Sequence, residues 1–528
     1  MKSKHTKAPF SYGEDYLTAG KALEICRGHS RGYISDSTAG KVRKSENIVA
    51  TIAGGDEVVY GINSGFGPLC TTKISPENTR KLQENILKSH SVGVGEFISD
   101  EVAKLMLILK VHALAKGYSG ISGSTLNRIV WHIENDALPK VPAQGSVGAS
   151  GDLAPLAHLF LPLIGLGMLS YNGKDIATKH VLEKVGLKPL KLAPKEGLAL
   201  INGTQFIAAF AVKVVEKLHH CMSQADIIAA MMIEGLLGSS RPFLDKLHQL
   251  RPYQGTQHVA TRINRLLANS AIVASHKDCE RVQDPYSLRC IPQVHGASRN
   301  AWLHLKELLE IELNAVTDNP VIIHEDLAIS GGNFHGQPLA LPLDYICVAA
   351  SELGNIADRR IYLSMEGNVE GLPKLLVQDT GLHSGFMILQ YTTAALVSEN
   401  KGLCFPASAD SIPTSLGQED HVSMGSIGGR KALQVVENLE KILAIELLCA
   451  CQALDFRRPL KSTPVIEAVH AMVRTEISHT KNDRIFADDI RTVLGMIRTG
   501  AVLEEGRRFD DGEIQNLKSK YDQLFEVY

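Results

Sequence analysis

No block of one charge dominates either half of this chain. Lys and Arg number 55 against 57 Asp and Glu, a formal net charge of −2. Holding nucleic acid or an anionic membrane surface by bulk electrostatics needs an excess of positive charge, so partners held in that way are excluded. Paired cysteines are missing as well. The nine cysteines are scattered, odd in number and form no CxxC, which points to a reduced, cytoplasmic setting. No Cys/His cluster has zinc spacing and HExxH is absent, so a metal site has no support. The longest apolar stretches, near 159–169 and 227–237, are broken by Gly or Glu and too short to span a bilayer. The basic start runs into Pro9-Phe-Ser-Tyr-Gly and not into an apolar segment, so no signal peptide is expected. Internal repeats and low-complexity linkers are lacking too.

What remains is a soluble globular composition, 44% hydrophobic with near-zero mean hydropathy. Helical periodicity dominates it. Trp302, Leu305, Leu309, Leu313 and Val316 fall at spacings of three and four and stop at Thr317-Asp-Asn-Pro320, a helix terminator. Leu126, Ile129, Val130 and Ile133 form a second stripe after Ser124-Thr125, read as N-cap residues. A third helix is predicted over 102–115, closed by Gly117. The segment 433–454 is apolar around much of its circumference, interrupted by Glu437, Glu440, Lys441 and Glu446, as in a helix buried in a bundle or against another subunit. Strand alternation is confined to short pieces, Val321-Ile-Ile and the stretch before Tyr60. Gly/Ser/Pro-rich pieces at 61–68, 143–151 and 330–338 interrupt the helices where ligand loops are expected. The fold class is therefore mainly α, a long central helical bundle with small loop-rich and short β segments. Residues 1–210 are expected to form an N-terminal portion and 211–528 the long-helix bundle and C-terminal portion.

One loop carries unusual chemistry. Gly145-Ser-Val-Gly-Ala149-Ser150-Gly151-Asp152 places Ala-Ser-Gly between glycines. If the chain folds tightly enough, the Gly151 amide nitrogen can attack the Ala149 carbonyl, and loss of two waters leaves a 4-methylidene-imidazol-5-one whose methylene carbon accepts nucleophiles. An ordinary Gly/Ser turn is the plain alternative for the tripeptide. Neither GxxxxGK[ST] nor GxGxxG is present there, so a phosphate-binding use of the loop has no support.

The loop continues as Asp152-Leu-Ala-Pro-Leu-Ala-His158, and it does not stand alone. Tyr60-Gly-Ile-Asn-Ser-Gly-Phe66-Gly, Asn85-Ile-Leu-Lys-Ser89-His90, Gln283-Asp-Pro-Tyr286-Ser-Leu-Arg289-Cys and Gln418-Glu419-Asp-His-Val-Ser-Met424 follow in order with it. Leu200-Ile-Asn202-Gly-Thr and Gly332-Asn333-Phe334-His-Gly336 add to them. Together, over roughly 50 to 456, they resemble the aromatic amino acid ammonia-lyases, and most of all their histidine-acting branch. The resemblance implies a long helical bundle of the ammonia-lyase and fumarase type and a homotetramer whose sites draw residues from three subunits. It implies elimination of ammonia from L-histidine to give urocanate, with the electrophile made from Ala149, Ser150 and Gly151 and no external cofactor or metal. A tyrosine ammonia-lyase or tyrosine aminomutase with the same electrophile is the alternative, and a non-catalytic helical scaffold a more distant one.

The resemblance also distributes roles. Tyr60 falls on the base that takes the β-proton, where a packed loop tyrosine is the alternative. Arg289 would clamp the substrate carboxylate through its planar fork; an isolated Arg is otherwise a structural ion pair. Tyr286 and Gln283 would line substrate and electrophile. They share a face with Arg289 only if 283–289 is helical, and Pro285 argues for a boundary there. Asn202 would bond near the electrophile, Phe334 would line the pocket, and His90 and Glu419 would meet the substrate side chain. Two departures from the pattern, Ser64 where Thr is frequent and Leu416-Gly417 where Ala-Asn is frequent, remove no group from this set. Residues 1–35 and 457–528 carry no motif and are expected at the surface or in oligomer contacts.

Overall fold

A computed structural model describes residues 7–56, 58–65, 67, 74–277, 281–324, 327–508 and 522–528. Phe66 of the tyrosine motif and Cys70 and Cys279 lie outside them. The chain divides into two compact units. The first comprises 1–213, 306–344 and 406–430, the second 214–305, 345–405 and 431–528.

The first unit holds the four small sheets found among the described residues. Its central helix is Asp100–Ala115. Ser99 caps it by accepting from the Val102 N–H at 3.3 Å, Asp100 and Glu101 complement the helix dipole in the first turn, and every residue from Val102 to Ala115 is buried. Gly117 closes it in the left-handed region, as expected. Gly123–Glu134 follows, and its cap is Ser122, which accepts from the Thr125 N–H at 3.2 Å. The expected cap at Ser124-Thr125 is thus too late by a turn fragment, because a serine two positions earlier already meets the orphan N–H. The stretch before Tyr60 is not a strand: Asp36–Gly54 is helical and Val58 and Val59 are irregular. Ser35 caps that helix, and its Val42, Ile48 and Val49 repeat at helical intervals. Val321–His324 does pair, antiparallel to Leu327–Ile329.

In the second unit the 433–454 segment lies within the helix Gly425–Asp455 and is buried in that unit's own bundle. Its acids do not break the core, because they are paired. Glu440 meets Lys217 at 2.7 Å and Arg498 at 2.9 Å, and Glu446 meets Arg360 at 2.5 Å with both side chains fully enclosed. Leaving one such charge unpaired would cost about 3–5 kcal/mol, which is why both partners are present. The 302–316 stripe belongs to the helix Ile291–Leu313. It ends at Leu313, so Val316 falls beyond it.

The chain ends are not confined to the surface. Phe10, Tyr12 and Leu17 are at most 3% exposed, and Ile466, Val469, Val473, Val493 and Ile497 are equally enclosed. The segments without motifs therefore carry core, a role that leaves periodicity but no signature. Beyond the two apolar stretches named above, the helix Gln337–Met365 is long and apolar enough to cross a membrane by length and composition. With 72% of its apolar window buried inside the protein, it is packed as a core helix.

Candidate functional site

A two-stranded ladder organises the first unit's loops. The helix Pro76–His90 ends at His90, the chain turns into the strand Val94–Phe97, and Val94 pairs with Gln144, the residue before Gly145. One piece of sheet thereby fixes the end of the His90 helix and the entry to the 145–152 loop. The Gly93 N–H, donating to His158 Nε2 at 3.0 Å, ties the loop's far helix, Leu153–Phe160, to the same place.

Within the loop Ala149 is buried among Val147, Val422 and Met424, and the Met424 N–H donates to the Val147 carbonyl at 2.9 Å. Ser150 and Gly151 take consecutive positive φ values of 50° and 80°. For Ser150 that is a costly conformation, held by its surroundings. At Gly151 a side chain is impossible, since a Cβ would stand 2.1 Å from the Gly203 carbonyl oxygen. Gly151 bridges Gly203 in parallel fashion, and the Asp152 N–H donates to the Gly203 carbonyl at 2.8 Å.

Asp152 adjoins the tripeptide, a residue that the motif contained but no role singled out. Fully buried, it accepts from the Phe206 and Ile207 N–H groups at 3.1 and 3.0 Å at the start of the helix Gln205–Gly235. Its other oxygen accepts from Ser426 at 2.8 Å. Burial pushes its carboxyl up to about 7 against these hydrogen bonds, with Glu312 adding to the rise.

Glu419 meets the loop directly. Ser150 donates its hydroxyl to Glu419 Oε1 at 3.3 Å, while Thr414 and Ser415 donate to Oε2 at 3.1 and 2.6 Å. His90 feels the same carboxylate: burial lowers its pKa, and the Ile86 carbonyl and the Glu419 charge oppose that fall. Its Nδ1 is 3.0 Å from Ser89 Oγ.

Asn202 caps the short helix Glu196–Ile201 and donates Nδ2 to the Asn319 carbonyl at 2.9 Å. Asn319 Oδ1 accepts from the Gly331 N–H at 2.9 Å, which anchors the turn bearing half-buried Phe334. Tyr60, half-buried, accepts from the Gly67 N–H at 3.4 Å. The next residue, Gly61, lets its backbone close on the Asn202 helix, because an added Cβ would lie 2.2 Å from Leu198 Cδ2. Ser64 accepts from the Gly61 N–H at 3.2 Å and donates to the Gly65 carbonyl at 2.9 Å, so the hydroxyl kept at this departure is in use. The first unit thus carries Tyr60, His90, Ala149, Ser150, Gly151, Asn202, Phe334 and Glu419.

Gln283, Tyr286 and Arg289 belong to the second unit. A short helix, Tyr286–Arg289, starts just after Pro285, so the boundary reading of that proline holds and Gln283 lies outside the helix. Arg289 stacks over the Tyr286 ring at 4.5 Å and donates Nε to the Asp284 carbonyl at 2.9 Å. Those contacts orient the guanidinium by a ring and a carbonyl, and among the described residues no carboxylate pairs with it. Tyr286 is 71% exposed.

The family described as aromatic amino acid lyase matches residues 17–475, beyond the motif-bearing span at both ends. The histidine ammonia-lyase of Natranaerobius thermophilus is 48% identical over 468 residues, 87% of this chain and 92% of that protein. That of Myxococcus xanthus is 44% identical over 490 residues, 93% of this chain and 96% of that one. Among solved structures, histidine ammonia-lyase from Trypanosoma cruzi matches with a TM-score of 0.89 and 40% identity over 99% of this chain and 98% of its own. The tyrosine aminomutase from Streptomyces globisporus matches with a TM-score of 0.90 and 34% identity over 95% and 99%.

Proposed function

Since the chain belongs to the aromatic amino acid lyase family, we propose that it is a histidine ammonia-lyase, converting L-histidine to urocanate and ammonia in the cytoplasm. The observation that carries this reading is the contact of Ser150 with Glu419 inside a loop where Ser150 and Gly151 are both forced into the left-handed region. That turn suits closure of Ala149-Ser150-Gly151 into a methylidene-imidazolone, and the space at Gly151 admits no side chain that would oppose it. Once formed, the group supplies an electrophilic carbon that makes the substrate amine a better leaving group.

The chain's own residues do the rest. Tyr60 removes the β-proton. Arg289 holds the carboxylate through its fork, with the Tyr286 ring stacked against it, and Gln283 lines substrate and electrophile. Asn202 and Phe334 frame the electrophile, and His90 and Glu419 receive the imidazole, whose two ring nitrogens ask for polar partners. The active form is a homotetramer, and Gln283, Tyr286 and Arg289 serve a site whose electrophile loop belongs to another copy. A tyrosine-acting enzyme remains the second reading, favoured by the likeness to the Streptomyces aminomutase. Glu419 argues against it, because a phenol carries one polar group at its tip and needs only one partner there, whereas an imidazole presents two ring nitrogens.

Two measurements test the proposal. The peptide spanning 149–151 is expected to be lighter than encoded by two waters. The protein should convert histidine, in preference to tyrosine or phenylalanine, into a conjugated ultraviolet-absorbing product. An unmodified peptide in a fully active sample, or a clear preference for tyrosine, would overturn it.

A further inference from the structure

Lys110 sits in the middle of Asp100–Ala115 and is 2% exposed. It has no part in the chemistry described above. An ammonium group withdrawn from water costs several kcal/mol unless it is well paired, so its partners reveal its use. Its Nζ donates to the Asn202 carbonyl and stands 3.5 Å from Gln205 Oε1, while Gln205 donates Nε2 to Thr317 Oγ1 at 2.8 Å. On the other side of the same turn the Gly203 N–H donates to the Ser150 carbonyl at 3.4 Å, and the Gly203 carbonyl accepts from the Asp152 N–H at 2.8 Å. The electrophile loop rests on Gly203, and Gly203 is joined to Lys110 by a single peptide unit.

That peptide transmits orientation. In a trans peptide the C=O and N–H point in opposite directions, so a cation seated on the Asn202 carbonyl turns the Gly203 N–H away from itself and toward Ser150. A charge-assisted bond at one end also polarises the unit and strengthens the donor at the other. We propose that Lys110 is a positioning residue for closure of the 149–151 loop, holding Ser150 and Gly151, through the Asn202–Gly203 peptide, in the turn from which the Gly151 nitrogen reaches the Ala149 carbonyl carbon. The inference rests on the reading of this loop as self-cyclising. In closure a new N–C bond forms, and the Ala149 oxygen leaves as water with the hydrogens of the Ser150 and Gly151 nitrogens. A second water takes the Ser150 hydroxyl and α-hydrogen, and no oxidant is needed. Burial lowers the Lys110 pKa to about 7, opposed by Asp318 and Asp152 and assisted by Lys195. The Asp318 carboxylate, the larger of the two opposing influences, favours the ammonium form that the argument uses.

The test follows the two-water mass loss of the 149–151 peptide over a time course after synthesis, in the parent and in Lys110→Met, Lys110→Arg and Gln205→Met. Loss of one charge-assisted bond should slow the appearance of the lighter peptide roughly tenfold or more in Lys110→Met, with Lys110→Arg recovering much of the rate. Once closed, the small Lys110→Met fraction should show the parent KM. If Lys110→Met does not fold, Gln205→Met decides: slowed closure in a folded protein supports the inference, and closure at the parent rate overturns it. A folded Lys110→Met that closes as fast as the parent overturns it as well. An undehydrated parent peptide would instead sink the reading of the loop, so the two failures are distinguishable.

Discussion

Ser150 donates its hydroxyl to Glu419 Oε1 at 3.3 Å, while the other oxygen of that carboxylate is held by Thr414 and Ser415. One oxygen is therefore anchored by the protein, and the partner of the other is the hydroxyl that would leave in the closure proposed above. A carboxylate so arranged has an acceptor to offer an imidazole N–H. Glu419→Gln should lower kcat/KM for histidine by roughly 10²-fold or more, with a much smaller effect on slow turnover of tyrosine, since sites built to hydrogen bond a substrate group reject analogues lacking it by up to roughly 10⁴-fold. Parallel kinetics on the two amino acids check this. Equal losses on both would remove Glu419 from specificity.

Tyr60→Phe deletes one oxygen and keeps the ring that fills its loop. The variant should retain the two-water mass loss and bind substrate, yet lose most of the elimination rate, a drop of roughly 10²- to 10⁴-fold in kcat for a missing general base. Near-parent turnover would assign the proton to another group.

Arg289 and Tyr60 lie in different units of one chain, and the tetramer proposed above has them serving one another's sites across copies. Co-refolding inactive Tyr60→Phe with inactive Arg289→Ala subunits should then regenerate measurable activity, because some mixed sites receive both parent residues. No recovery in a verified mixed tetramer would place the two residues in the same chain's site, and a monomer by light scattering would remove the assembly.

The residues that sequence proposed for the site share a property: each sits in a motif whose neighbours in the chain carry the signal, as Ser150 does between Ala149 and Gly151. Long helices were legible for a similar reason, since the 302–313 stripe is a local repeat. What stayed hidden joins positions distant in sequence. Lys110 looks like one polar residue in an apolar helix until its ammonium meets Asn202, 92 positions away. Glu446 reads as an interruption of an apolar surface until Arg360 pairs with it inside the core. The stretch before Tyr60 failed differently. Alternation there suggested a strand, but the helix that Ser35 starts runs to Gly54, and Val58 and Val59 after it are irregular, the Val59 N–H donating to Asn63 Oδ1 at 2.8 Å in place of a ladder partner.

Asp152 makes a pH dependence expected. Its folded pKa, about 7, lies above an ordinary aspartate's, so the unfolded chain releases this proton first. The stability it confers is complete below the unfolded value near 4 and is lost progressively as pH rises toward 7. Three pKa units correspond to about 4 kcal/mol at most. Asp152→Asn should flatten that slope while keeping the network, since its amide oxygen can still accept from the Phe206 and Ile207 N–H groups and its NH₂ can donate to Ser426. Thermal melts at pH 5 and pH 8 check it: the drop in Tm between them should be smaller in Asp152→Asn than in the parent. Parallel pH profiles for the two proteins would mean that Asp152 titrates as it does in the unfolded chain, and its burial at the base of the 145–152 loop would then carry no protonation cost.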